Sequence, residues 1–295
     1  MKKILFVFLT AFSLLSVYWG HAAVSKEIRL GVNAERGELK AVKEWSEFAN
    51  YLSSELGQPV KLVPLPVGKV IEAVSNKEVD FLLANPVQSV VVKERHGFVP
   101  LATLNDKMGS QFAGVIIAKK GNGVVKGRDL KGKNVMSMKF KAAAGAYLFQ
   151  SYHLLQQGID VHRDFASFKE GQKQDDLVLA VKAGVIDAAF IRTGQLEAME
   201  KEGKIKIDDF VIVDKREDPG FPFLHTTILY PEWFFSVMPN TDPKVAAKVK
   251  AALLKMTSDT KASKAAGING FVNAHSTEGL KQAMKALKVP PYDKH

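Results

Sequence analysis

Val79-Asp80-Phe81-Leu82-Leu83-Ala84-Asn85-Pro86 and Ile186-Asp187-Ala188-Ala189-Phe190-Ile191-Arg192-Thr193-Gly194 are two versions of one phrase. In each, an apolar residue and an aspartate open a short apolar run, and a polar turn follows. Ala73-Val74 before the first and Ala180-Val181 before the second close helical patterns, so the unit recurs after 107 residues, from Asp80 to Asp187. Helix, strand, turn and helix in that order is the building unit of an α/β sheet. Such units resemble one another by nature, but two copies this far apart predict two similar lobes, one in each half.

The flanking sequence extends the pattern. Ile28 to Val32 reads as a strand, and Leu39 to Leu56 as a helix with Val42, Trp45, Phe48, Ala49 and Leu52 at helical spacing, stopped by Gly57. Val60 to Leu65, Val67 to Ser75, Asp80 to Ala84 and a helix after Pro86 follow, and Val99 to Leu104 leads out. The second half repeats the alternation. Strands are expected at Ala113 to Ala118, Asn134 to Met138, Phe165 to Phe168, Ile186 to Ile191 and Phe210 to Val213. Helices are expected at Ala142 to Gln157, Asp175 to Ala183 and Gln195 to Glu202. Thr226 to Tyr230 reads as extended, and the Lys/Ala-rich tail from Asp242 as helical.

The 295 residues suffice for two domains. Met1-Lys2-Lys3, the apolar run Ile4 to Val17 and the small residues Gly20-His21-Ala22-Ala23 form a secretory leader. The run is shorter than the ~20 apolar residues that span a bilayer. Cleavage is expected after Ala22 or Ala23. The absence of cysteine removes both disulfides and a lipid-anchoring cysteine, so a soluble periplasmic protein is expected. The formal charge of +10 suits an anionic ligand, or solubility alone. The lysines form no block, so nucleic acid is not an expected partner.

In open α/β sheets, ligands sit beyond the carboxyl ends of the strands, where helix N-termini present unpaired N–H groups. That rule selects Arg36 after the first strand, Asn85 and Pro86 after the third, Lys139 and the run Ala142-Ala143-Ala144-Gly145 after Met138, Gln172 and Lys173 after Phe168, and Arg192 and Thr193 after Ile191. Asn85 could serve equally as an ordinary helix cap. Arg192 closes an apolar strand and needs an anionic partner, from protein or ligand; a ligand is the expectation.

Asp80-Phe81-Leu82-Leu83-Ala84-Asn85-Pro86-Val87-Gln88, Leu130-Lys131-Gly132-Lys133-Asn134-Val135 and Gly184-Val185-Ile186-Asp187-Ala188-Ala189-Phe190 resemble the phosphate/phosphite/phosphonate-binding family of periplasmic substrate-binding proteins. The resemblance covers nearly the whole chain after the leader and adds Gln88 to the candidate ligand contacts. It implies a type II periplasmic binding fold: two α/β lobes joined by hinge strands near Phe112 to Ile117 and Thr227 to Tyr230, with the C-terminal helices returning to the first lobe. The boundaries expected are a leader at 1–22, a first lobe at 23–112 and 228–295, and a second at 113–227. The departures concern the ligand. Ala142-Ala143-Ala144 stands where phosphonate binders place a Ser-Thr-Ser type run, Gly171-Gln172-Lys173 where a Gly-Ser-His turn is common, Arg192-Thr193 where the family carries an acidic residue, and Ser89 where an aromatic is common. The fold therefore carries over and phosphonate specificity does not. Ile191 to Glu197 and Leu224-His225-Thr226-Thr227-Ile228-Leu229-Tyr230-Pro231-Glu232-Trp233 resemble the sensor domains of tetrathionate-responsive histidine kinases, although Tyr230 and Trp233 could simply pack a hinge.

No Walker loop, nucleophile elbow or zinc-ligand spacing is present, so neither catalysis nor a cofactor nor a metal is expected. The expectation is a monomeric binding protein. It would capture a small phosphorus or sulfur oxyanion and deliver it to the membrane permease of an ABC transporter, or report it to a sensor kinase.

Overall fold

The computed structural model describes residues 27–293; the expected leader lies outside them. The chain begins with two βαβ passes. β1 (Ile28–Asn33), α1 (Glu38–Leu56), β2 (Val60–Leu65), α2 (Val70–Ser75), β3 (Phe81–Ala84), α3 (Pro86–His96) and β4 (Val99–Asp106) follow in order. The core face of α1 is Ala41, Trp45, Phe48, Ala49 and Leu52, and Gly57 ends the helix at φ 69°. Asn85 caps α3 by accepting from Gln88 N, and Pro86 occupies the first turn, where an N–H would have no helical partner.

After β4 the chain crosses between lobes through β5 (Gln111–Phe112). It then forms β6 (Gly114–Lys119), β7 (Asn134–Ser137), α4 (Phe149–Leu155), α5 (Val161–Asp164), β8 (Ser167–Glu170), α6 (Gln174–Ala183), β9 (Ala188–Arg192), α7 (Gln195–Lys201) and β10 (Phe210–Ile212). These strands make a five-stranded sheet in the order β10-β6-β9-β7-β8. A small hairpin, β11 (Arg216–Asp218) with β12 (Phe221–His225), precedes β13 (Tyr230–Pro231), which pairs antiparallel with β5 and so makes the second crossing. Tyr230 stacks on Phe149 with ring centroids 4.0 Å apart. Two strands cross as expected, but of the expected hinge segments only Phe112 and Tyr230 lie in them, while Gly114 to Ile117 belongs to β6 of the five-stranded sheet.

The return path is β14 (Phe234–Val237), α8 (Pro243–Lys255), α9 (Lys261–Ala266), β15 (Ile268–Asn273) and α10 (Glu278–Ala286). It completes a six-stranded sheet, β15-β4-β14-β3-β1-β2. Phe48 of α1 packs between Phe235 of β14 and Phe271 of β15. α10 lies against both α3 and α4, so the tail contacts both lobes rather than the first alone.

The repeat is physical. Asp80 N donates to Arg29 O at 2.8 Å while Asp80 Oδ2 accepts from Arg29 N at 2.9 Å. Asp187 N donates to Asn134 O at 2.9 Å while Asp187 Oδ2 accepts from Asn134 N at 2.8 Å. Each aspartate therefore clamps the start of its strand to the start of the adjacent strand. The preceding helices also end alike: Glu78 N reaches Ala73 O and Val185 N reaches Ala180 O, with Lys77 and Gly184 both at positive φ.

Three expectations change. The strand expected at Phe165 to Phe168 runs instead over Ser167–Glu170, because parallel pairing with β7 sets the register, Asn134 opposite Ser167. The helix expected from Ala142 opens as a wide turn over 144–148, with Leu148 N bonded to Ala143 O and Ala146 at φ −131°; α-helix begins only at Phe149. The helical tail is interrupted by β15, where Gly270 takes φ 115° because a side chain there would strike the Met256 carbonyl.

Candidate functional site

Arg192 stands at the carboxyl end of β9, and its guanidinium reaches across to the first lobe. Nη2 donates to Glu232 Oε1 at 2.6 Å; Glu35 lies 3.6 Å and Asp106 3.8 Å away. The guanidinium carbon sits 4.8 Å from the ring centre of Phe112 in the hinge, and Gln174 Oε1 accepts from Arg192 N at 2.8 Å. The anionic partner expected from a ligand is supplied here by the protein. Glu232, from the Tyr-Pro-Glu-Trp segment, is fully buried. Burial lifts its carboxyl to about 7 against the pull of Arg192, with Asp106 and Glu35 pushing the same way. Burial likewise raises Glu35. It would lower Arg192, but Glu232, Glu35 and Asp106 hold that side chain protonated.

A second contact closes the lobes from the other side. Arg36, after β1, donates to Asp175 at 3.0 Å and to Glu202 at 3.2 Å, and Lys204 bonds both carboxylates from within the second lobe. Burial would raise Asp175, but bonds from Lys204, Arg36 and Gln195 bring it down to about 2. A third contact is polar and neutral: Asn85 Nδ2 donates to Ala142 O at 3.2 Å.

Between these contacts lie three spaces. A cavity of about 200 Å³ is walled by Asn33, Glu35, Arg36, Lys40, Glu44, Trp45, Asp106, Arg192 and Trp233, among others. A wider mouth of about 650 Å³ is bordered by Lys69, Lys139, Gln172 and Lys173. At Ala143 to Ala146 only about 10 Å³ is open, room for roughly one water.

The candidate residues therefore divide. Arg36, Lys139, Gln172, Lys173 and Arg192 surround the cleft, although Lys139 is itself paired with Glu170 at 2.7 Å. Ala143 touches only the small space, and the expected cradle of helix N–H groups is replaced by the wide turn. Asn85, Pro86, Gln88 and Thr193 are spent on structure: Gln88 Nε2 donates to Val67 O, and Thr193 Oγ1 accepts from Ala113 N at 3.3 Å. Sequence reasoning missed Asn33, Glu44, Trp45 as a cavity wall, and Asp106. Asn33 and Asp106 end β1 and β4, so the strand-end rule that selected Arg36 could have found both.

Comparison with known proteins agrees with this architecture. The family profile described as "ABC transporter, phosphonate, periplasmic substrate-binding protein" matches residues 30–278. The tetrathionate sensor histidine kinase TtrS of Salmonella typhimurium is 30% identical over 239 residues; the match takes in 79% of this chain and 40% of the kinase, so the chain spans well under half of that relative. Among solved structures, PhnD1 of Prochlorococcus marinus in complex with methylphosphonate superposes with a TM-score of 0.73 at 16% identity, covering 89% of this chain and 98% of that one. A binding protein component of an ABC phosphonate transporter from Pseudomonas aeruginosa gives 0.72 at 16% identity, covering 90% and 87%. The fold is that of type II periplasmic binding proteins, and the chain belongs to the phosphonate family of ABC-transporter periplasmic substrate-binding proteins.

Proposed function

We propose that this protein acts in the periplasm, free of a lipid anchor, closing its two lobes on a small phosphorus or sulfur oxyanion and presenting it to an ABC permease, with no chemistry of its own. The observation that carries this reading is the mouth of the cleft, where Lys69 from one lobe faces Lys139 and Lys173 from the other. Lys173 has no ion-pair partner among the described residues, leaving its charge free for an anion. Differential scanning fluorimetry against phosphite, methylphosphonate, sulfate, thiosulfate and tetrathionate tests it. A true ligand at 100 times its Kd adds ~2.7 kcal/mol to stability; no response to any oxyanion counts against the reading.

A second reading, a ligand-sensing arm for a signalling kinase, is favoured by one observation. The two segments that resemble tetrathionate sensors are the two that meet: Arg192 with Glu232, and Glu197 Oε1 accepting from Leu224 N at 3.0 Å. A sulfur oxyanion outranking every phosphorus oxyanion in the same panel supports this reading, and the reverse order argues against it.

A further inference from the structure

A further cavity lies away from the cleft, where the C-terminal tail passes over the second lobe. Lys281 ties α10 to Glu94 of α3 at 2.9 Å, and Arg95 of α3 reaches Asp293 at 2.8 Å, so the tail is anchored on the first lobe. The end of that helix, Ala286 to Lys288, borders a space of about 430 Å³ whose other wall is built from α4, α5 and the turns before them. The volume is that of a small-molecule site, roughly 300–1,000 Å³. None of its lining is shared with the three spaces of the cleft.

The charges around this space are unequal. Lys141 and Lys288 line it, and neither has an ion-pair partner among the described residues. Its one carboxylate, Asp160, is committed to capping α5, where Oδ1 accepts from His162 N at 2.9 Å. Independent of the charges, Ser151 in the same wall is 1% exposed and its Oγ has no hydrogen-bond partner. A buried hydroxyl left unpaired is costly and asks for an explanation. Tyr147 OH lies 3.1 Å from His162 Nε2, and burial, aided by Asp160 and Glu170, pushes that phenol up to about 12, so it stays neutral. Lys141 also holds φ 63° in the turn that Ala142 N closes on Lys139 O at 3.3 Å, a backbone position that favours glycine. Leu155, Ile159, Val161 and Leu287 make the rest of the wall apolar.

An organic carboxylate answers these features together. Its oxygens accept from the two ammonium groups and from Ser151 Oγ, and its body covers the apolar wall. An inorganic anion would leave that wall bare, and a cation would meet two unpaired lysines. We propose that this pocket is a second binding site, for a small carboxylate with an apolar body, which bridges Lys288 of the tail to Lys141 and Ser151 of the second lobe. The site is separate from the cleft and does not depend on which ligand the cleft takes.

Calorimetry with hexanoate and benzoate, each set beside its matched alcohol, 1-hexanol or benzyl alcohol, tests this on wild type, Lys141→Met, Lys288→Met and Lys173→Met. At least one acid should bind roughly tenfold or more tighter than its alcohol, as charge-assisted hydrogen bonds require. Its affinity should fall about fivefold or more in Lys141→Met, in Lys288→Met or in both, and hold in Lys173→Met, whose lysine borders the cleft mouth instead. All three lysines are exposed, so the substitutions spare the core, and circular dichroism melts check that each variant folds. No binding of either acid, an alcohol that binds as tightly, or an affinity unmoved by both pocket substitutions would overturn the proposal. An equal or larger loss in Lys173→Met would put the acid in the cleft and overturn it as well, leaving the oxyanion function to its own test.

Discussion

Arg192 and Glu232 are held to each other by burial as much as by charge. Removing the guanidinium leaves a fully buried carboxyl beside Asp106 and Glu35, so Arg192→Met should destabilise the ligand-free protein by ~3–5 kcal/mol in urea unfolding. Glu232 also sets a pH dependence. Its folded carboxyl sits at about 7 against an ordinary 4.5. Between those values the folded state holds a proton that the unfolded chain has lost, so this group's contribution to stability falls as pH rises from about 4.5 to 7. Glu232→Gln removes the step: the stability lost between pH 5 and 7.5 should be smaller in the variant by on the order of 1–3 kcal/mol. Equal losses would show that Glu232 does not titrate in this range. The sequence pointed to Arg192 because a cation closes an apolar strand. It could not pair that cation with Glu35, Asp106 and Glu232, which arrive from three distant segments that only the tertiary fold brings together.

At the scale of elements, periodicity placed most of the structure. α1 was legible because its apolar residues recur at helical spacing and Gly57 stops it. β14 and β15 were not: Phe234–Val237 is continuous with the preceding aromatic segment, and β15 is broken by the Gly270 bulge. The wide turn at 144–148 was invisible because three alanines read as good helix whatever the hydrogen-bond step. The repeated helix end gives a direct test. Lys77 and Gly184 hold equivalent cap positions at φ 57° and 76°, a region where a side chain is strained and glycine is not. Gly184→Ala should cost about 1 kcal/mol, while Lys77→Gly should be neutral or stabilising by up to ~1 kcal/mol, both read from denaturation midpoints.

At the scale of the molecule, the lobes meet through Arg36 with Asp175 and Glu202, Asn85 with Ala142, and Arg192 with three carboxylates. The two-lobed fold was legible from the repeat, but the closing contacts were not, since each joins segments well separated in the sequence. Arg36→Ala removes the partly exposed contact and should shift the empty protein toward open forms, seen as a larger radius of gyration in small-angle scattering. A saturating ligand should restore the compact value. Capture of an oxyanion at the lysine-bearing mouth of this cleft is the proposed work of the whole molecule. Titration calorimetry of the oxyanion panel on wild type and Lys173→Met tests it most directly. One-to-one binding of at least one phosphorus or sulfur oxyanion is expected, weakened several-fold or more by the substitution. Tight binding of a neutral sugar, with no oxyanion bound by the wild type, would contradict it.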